Sequence, residues 1–131
     1  PGHEFGYRPF PEIQMRSVED LLAQILDRHG IPAARVVGHS DIAPSRKQDP
    51  GELFDWQRLA ARGVSIWPTA VSAAIEAREA PGLLAGIGYD PGAPLADIVT
   101  AFQRRFAPDC VTGSLDSTTL ASIAAVFAIN S

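Results

Sequence analysis

The clearest periodicity in the chain lies between Val18 and Leu26. There Val18, Leu21, Leu22, Ile25 and Leu26 recur at the i, i+3, i+4, i+7, i+8 spacing of an amphipathic helix. Ser17 stands before this run as a candidate N-cap, with Asp20 at the third helical position, and His29 followed by Gly30 supplies an ordinary C-terminal stop. Residues 1–16 are rich in proline, glycine and aromatics without a period, which predicts a loop. After Ile31-Pro32, the run Arg35-Val36-Val37-Gly38 is short and β-prone, and a polar loop extends from His39 to Gly51. A second short helix is predicted from about Phe54 to Arg62, closed by Gly63, and Trp67-Pro68 ends this first portion.

Beyond it, a helix is predicted around Val71–Glu79, broken by Pro81-Gly82. The glycines and prolines at 86, 88, 91, 92 and 94 make Leu83 to Pro94 read as a loop. Leu95, Ile98, Val99, Phe102 and Phe106 then line one face of a helix. Asp116 is placed to cap a last helix with Leu120, Ile123, Ala124 and Phe127 on its face. The pattern therefore divides the chain into residues 1–68 and a three-helix unit over 70–131, whose core is small for a free-standing domain.

Composition narrows the possibilities. Of 131 residues, 46% are apolar and 20% charged, the proportions of a chain that can build a compact core. No apolar run reaches the roughly 18–20 residues of a membrane span. A net charge of −4 and the absence of a basic stripe argue against nucleic acid as a partner. Cys110 is the single cysteine, so neither an internal disulfide nor a multi-cysteine metal site can form. Of the 11 basic residues, only Lys47 is lysine. An ammonium is a compact charge with an adjustable pKa, unlike a guanidinium, which makes Lys47 a candidate for chemistry.

The chemistry-bearing stretch is Val36-Val37-Gly38-His39-Ser40-Asp41-Ile42-Ala43-Pro44-Ser45-Arg46-Lys47-Gln48-Asp49-Pro50-Gly51. His39 leaves the end of the β-prone run, and a loop containing Pro44 returns Lys47 and Asp49 eight and ten residues on. Imidazole and carboxylate are ordinary zinc ligands. An ammonium beside a metal-bound substrate can stabilise the oxyanion that develops when an amide is attacked. In an extended segment, Lys47 and Asp49 would face the same way. On spacing alone, a surface histidine and an Asp-Pro-Gly turn account for these residues as well as a metal site does.

The run HSDIAPSRKQDPGELFDW, with LAARGVSIWP after it, resembles the type 2 N-acetylmuramoyl-L-alanine amidases, the family related to peptidoglycan recognition proteins, and within it the periplasmic lipoprotein branch. The resemblance spans residues 34–68 most closely. It implies that His39 and Asp49 are zinc ligands and that Lys47 is the catalytic lysine. It also implies an α/β fold, in which residues 1–68 form the C-terminal portion of a mixed-sheet amidase domain flanked by helices. Residues 70–131 look like a helical peptidoglycan-binding module. Phe102-Gln103-Arg104-Arg105-Phe106 is similar to its first-helix motif, and Asp116 with Thr119 to the start of a later helix.

The family takes a further zinc-binding histidine and an acid/base glutamate from upstream strands, and neither is found here. His3 and Glu4 remain as candidates bordering the substrate cleft, and His29 belongs to the end of its helix. The expectation is a zinc hydrolase acting on peptidoglycan or muropeptides in the periplasm or cell envelope. It would need an N-terminal half, in the same parent protein or as a separate chain produced by cleavage, so that Pro1 is internal to the parent. Removal of residues 70–131 is then expected to weaken wall binding more than cleavage of soluble muropeptides. The rival readings are a non-catalytic recognition protein and a wall anchor.

Overall fold

The computed structural model describes residues 6–70 and 73–130. The elements in chain order are α1 (Glu12–His29), a 3₁₀ turn (Ala33–Arg35), α2 (His39–Ile42), α3 (Trp56–Ala61), a second 3₁₀ turn (Ala77–Glu79), α4 (Ala80–Ile87), α5 (Leu95–Phe106) and α6 (Ser117–Asn130).

Among the described residues the fold is all-helical, with no strand, which corrects the expected mixed sheet. The β-prone run at 35–38 shows why. A strand needs free N–H and C=O groups to pair with a neighbour, and here those groups are already taken. Val36 N donates to Ala33 O at 3.2 Å, Val36 O accepts from Arg105 Nη2 at 2.9 Å, and Gly38 N donates to Asp41 Oδ2 at 2.8 Å. Val36 keeps an extended backbone without a ladder.

α1 starts before the predicted cap. Pro11, in an extended conformation, precedes the first turn, its carbonyl accepts from Gln14 N and Met15 N, and Glu12 places a carboxylate in that turn. Ser17 lies inside the helix, where its hydroxyl donates back to Ile13 O at 3.0 Å. Gly30, with φ of 61°, closes the helix through Gly30 N to Asp27 O and Ile31 N to Leu26 O. Met15 is buried against Trp56, Leu59 and Val64, with Val18, Leu22 and Leu26 packed around them, to form a first core. At the edge of this core, Arg58 of α3 holds both Glu19 and Glu12 of α1.

The second core is built from α4, α5 and α6, with Tyr89 from the connection after α4: Leu84, Tyr89, Ile98, Val99, Phe102, Phe106, Ile123 and Val126. α5 lies where its spacing predicts. The helix expected around 71–79 does not form there: residues 73–76 are not helical, Val71 is outside the described residues, and α4 occupies part of the segment read as a loop. Pro81 falls in the first turn of α4, where its missing N–H costs nothing, so it starts a helix rather than breaking one. On α6 the fully buried residues are Thr119, Ile123 and Val126, while Phe127 sits at the rim above Gly86. A Cβ on Gly86 would come within 2.6 Å of that ring, so glycine there permits α4 and α6 to approach. Asp116 caps α6 as predicted, accepting from Thr119 N at 2.8 Å, and this hydrogen bond holds its carboxyl below the usual value.

The two cores meet at Trp67, which packs against both. Buried Gln103 of α5 holds the connection to α6. Its amide donates to Thr119 Oγ1 and Ser114 O and accepts from Thr112 N and Gly113 N.

The Arg58 clamp carries a pH dependence. Its hydrogen bonds hold the carboxyls of Glu19 and Glu12 below their ordinary 4.5 in the folded chain. The unfolded chain therefore binds more protons in acid, and the clamp's contribution is whole at neutral pH and drains away below about pH 5. Arg58→Gln should lower the melting temperature at pH 7 and flatten its decline between about pH 5 and 3, measured by thermal unfolding across that range.

Candidate functional site

His39 opens α2, a single turn that follows Gly38 in an extended conformation. A helix of this length cannot hold itself, because nucleation costs more than one turn of hydrogen bonds returns. Its own closing bond is supplemented from outside. Ala43 N donates to His39 O at 2.9 Å, and Ser40 N crosses to Asp49 O, also at 2.9 Å. This crossing brings the two ends of the 39–49 loop together. The His39 Nδ1 and Asp49 Oδ2 atoms stand 3.2 Å apart, both side chains at least half exposed.

The Asp49 side of the site is held by Tyr7. The peptide between Asp49 and Pro50 is cis. The Tyr7 hydroxyl donates to Pro50 O at 3.1 Å and accepts from Leu53 N at 2.7 Å, and burial lifts this phenol above its ordinary pKa of 10. Gly51 lies under the same ring with φ of 84°, and a Cβ there would meet the Tyr7 hydroxyl at 2.3 Å. Across the loop, a Cβ on Gly38 would come within 2.8 Å of Pro50 Cδ. Gly38 thus lets the segments bearing His39 and Asp49 close on each other, and Gly51 lets Tyr7 pack onto the latter. Beside Asp49 opens an apolar groove of about 480 Å³, lined among others by Phe10, Val36, Phe54 and Trp56.

The structure thus brings two of the predicted site residues together. Lys47 lies on the exposed part of the same loop, where its backbone N donates to Ala43 O at 2.9 Å. Its ammonium forms no hydrogen bond or ion pair with the described residues. His3 and Glu4 lie outside the described residues, and His29 is exposed at the end of α1. Among the described residues no third His, Cys, Asp or Glu joins His39 and Asp49.

Sequence reasoning misses what holds α2 from below. Asp41, 7% exposed, uses both carboxylate oxygens. Oδ1 accepts from the Tyr89 hydroxyl at 2.7 Å, and Oδ2 accepts from Gly38 N at 2.8 Å and Arg105 Nη1 at 2.9 Å. The Arg105 guanidinium lies over the Trp56 ring at 4.1 Å and the Phe106 ring at 4.8 Å. Its Nη2 donates to Val36 O and Ser65 Oγ. Burial, and then the Asp41 charge, push the Tyr89 phenol well above 10, so it stays a donor. An acidic residue three after Gly38 is a helix-start signal and foretells the local bond. Nothing in the chain's spacing foretells the partners at 89 and 105.

Residues 2–52 match the family described as N-acetylmuramoyl-L-alanine amidase. The N-acetylmuramoyl-L-alanine amidase AmiD of Escherichia coli strain K12 is 34% identical over 88% of this chain and 48% of its own length. A solved complex of the E. coli AmiD with the substrate anhydro-N-acetylmuramic acid-L-Ala-D-gamma-Glu-L-Lys superposes with a TM-score of 0.82 at 34% identity, covering 92% of this chain and 53% of that one. AmpDh3 from Pseudomonas aeruginosa, in complex with anhydromuramic pentapeptide, gives a TM-score of 0.81 at 27% identity, over 91% and 53% of the two chains. The chain thus spans about half the length of these relatives.

Gly51 offers a direct check on the loop geometry. Gly51→Ala must adopt a left-handed backbone and displace the Tyr7 ring, and should cost about 1–3 kcal/mol of stability, read from urea unfolding.

Proposed function

We propose, from the N-acetylmuramoyl-L-alanine amidase likeness that these matches support, that this chain is part of a zinc-dependent amidase. It would hydrolyse the bond between N-acetylmuramic acid and L-alanine in peptidoglycan or its muropeptide fragments. The observation that carries the assignment to particular residues is the approach of His39 and Asp49. His39 Nδ1 and Asp49 Oδ2 lie within hydrogen-bond distance, 3.2 Å, and an imidazole and a carboxylate so placed are the donors that would hold zinc. Their exposure leaves room for further ligands and for substrate. The donor types and spacing fit zinc, with His39 and Asp49 as two of its ligands and the remainder supplied from outside the described residues.

When bound, zinc supplies polarisation of the amide carbonyl and a water acidic enough to attack it. The chain's own residues orient the reaction. The imidazole and carboxylate set one wall of the site, and the 43–53 loop, braced by Tyr7, keeps Asp49 facing His39. Lys47 provides a positive charge, with no carboxylate among the described residues to neutralise it, that can steady the negative charge growing on the amide oxygen.

A catalytic zinc site normally has three protein ligands and a water, and the described residues offer two. The reading therefore includes an N-terminal half of the same amidase that completes the site. The apolar groove beside Asp49 suits this arrangement, since Phe10, Val36, Phe54 and Trp56 present a surface that further polypeptide would cover more readily than a polar muropeptide. In the same reading, residues 70–131 are a peptidoglycan-binding-like module, and the protein works in the periplasm or cell envelope, where its substrate lies.

In the full-length protein, Asp49→Ala should abolish zinc binding and muropeptide cleavage together, measured by metal analysis and product chromatography. Lys47→Ala should keep the zinc and lower turnover by roughly 10²–10³; unchanged turnover would remove Lys47 from the mechanism. A full-length protein that binds muropeptides with neither zinc nor cleavage would instead be a non-catalytic recognition protein.

A further inference from the structure

We infer that Arg105, with Tyr89, is a positioning residue for the His39 side of the site, so that the C-terminal helices act on the metal-binding turn as well as packing beside it. The inference rests on the zinc-amidase reading above. Its basis is a single guanidinium that grips one stretch of chain at two points, a backbone carbonyl and a side-chain carboxylate. Through Nη2 it holds Val36 O, three residues before His39, and through Nη1 it holds the carboxylate of Asp41, two residues after. That carboxylate in turn accepts from Gly38 N, the residue that leads into α2. Tyr89 holds the other carboxylate oxygen. The backbone on both sides of His39 is therefore referred to groups carried by α5 and by the residue just after α4.

Stability alone is a weak account of this arrangement. Arg105 and Asp41 are 5% and 8% exposed at their side chains, and burying such a pair costs about as much desolvation as the attraction returns. An apolar pair of similar volume would fill the space as well. What the ionic pair adds is direction. A planar fork with two donors fixes the angle between Val36 and Asp41, and neither a methionine nor the single ammonium of a lysine reproduces it. The stack between Trp56 and Phe106 holds the plane of that fork. The turn it orders contains His39, whose backbone is tied through its neighbour Ser40 to Asp49. Movement of α2 therefore changes the distance between the two candidate ligands. It follows that deleting residues 70–131 would impair the site itself, on soluble muropeptides as well as on the wall.

The test compares full-length wild type with Arg105→Met and Tyr89→Phe. The readouts are amide hydrogen exchange, zinc affinity by competition with a chromophoric chelator, and kcat and KM on a soluble muropeptide. Arg105→Met should speed exchange at Gly38 and Ala43 while α6 keeps its protection. It should also weaken zinc binding by about 10-fold and lower kcat more than it raises KM. Tyr89→Phe, which removes one hydroxyl, should shift exchange and zinc affinity the same way by a few-fold, and Arg105→Lys should fail to restore either. A folded Arg105→Met with wild-type exchange at 38–43 and wild-type zinc affinity overturns the inference. If Arg105→Met does not fold, the same null result in Tyr89→Phe overturns it. A wild type that binds no zinc defeats the preceding reading and this inference with it, whereas zinc in the wild type with no change in either variant defeats this inference alone.

Discussion

A carboxylate removed from water must have each of its oxygens answered by a donor, and Asp41 meets that demand with three: Tyr89 on Oδ1, and Gly38 and Arg105 on Oδ2. Gly38 is a local donor, but Tyr89 and Arg105 come from distant parts of the chain, so satisfying one buried charge fixes their placement relative to α2. The Arg105 side chain runs from the second core to the segment that carries the candidate site, and its guanidinium stacks on a tryptophan of the first core. Trp67 packs on both cores and closes the same seam. The two portions of the chain meet through directed hydrogen bonds at this seam, in addition to apolar contact.

The candidate site inherits its order from that seam on one side and from Tyr7 on the other. Neither segment has regular structure long enough to be stable alone: α2 is a single turn, and residues 43–53 form a loop. What they have is backbone bonding across the loop, Ser40 N to Asp49 O, and two glycines that allow close approach. The exposed side chains of His39 and Asp49 are thereby held near each other while their polar heads remain accessible. The family likeness, in residues 2–52, includes this loop. His39, Asp49 and the backbone contact between Ser40 and Asp49 that draws their segments together are neighbours in sequence here.

Local patterns in the chain carry much of this. The 3.6-residue period of Val18 to Leu26 marks α1, the apolar face from Ile98 to Phe106 marks α5, and Asp116 announces the cap of α6. The loop from His39 to Asp49 is identifiable as the place where chemistry would lie, and its two ends do meet. The start of α1 is not legible in the same way. Ser17 and its neighbours carry a real capping signal, yet the proline at 11 and the glutamate after it begin the helix earlier, and Ser17 turns its hydroxyl onto the preceding turn. The proline at 81 invites the opposite error, because whether proline breaks or begins a helix depends only on which turn it occupies.

Periodicity, capping residues and turn chemistry are properties of a few consecutive residues, which is why residue order suffices for most helices and for the loop bearing His39, Lys47 and Asp49. The expected sheet fails because a strand exists only when another strand answers its backbone. At Val36 and Gly38 an arginine from α5 and an aspartate three residues on already do so. Only the packed chain makes Asp41 a buried residue, Arg105 its counter-charge and Tyr89 the donor that completes the set. Such pairings are set by the energy of desolvating a charge, which depends on everything packed around it and on no local pattern.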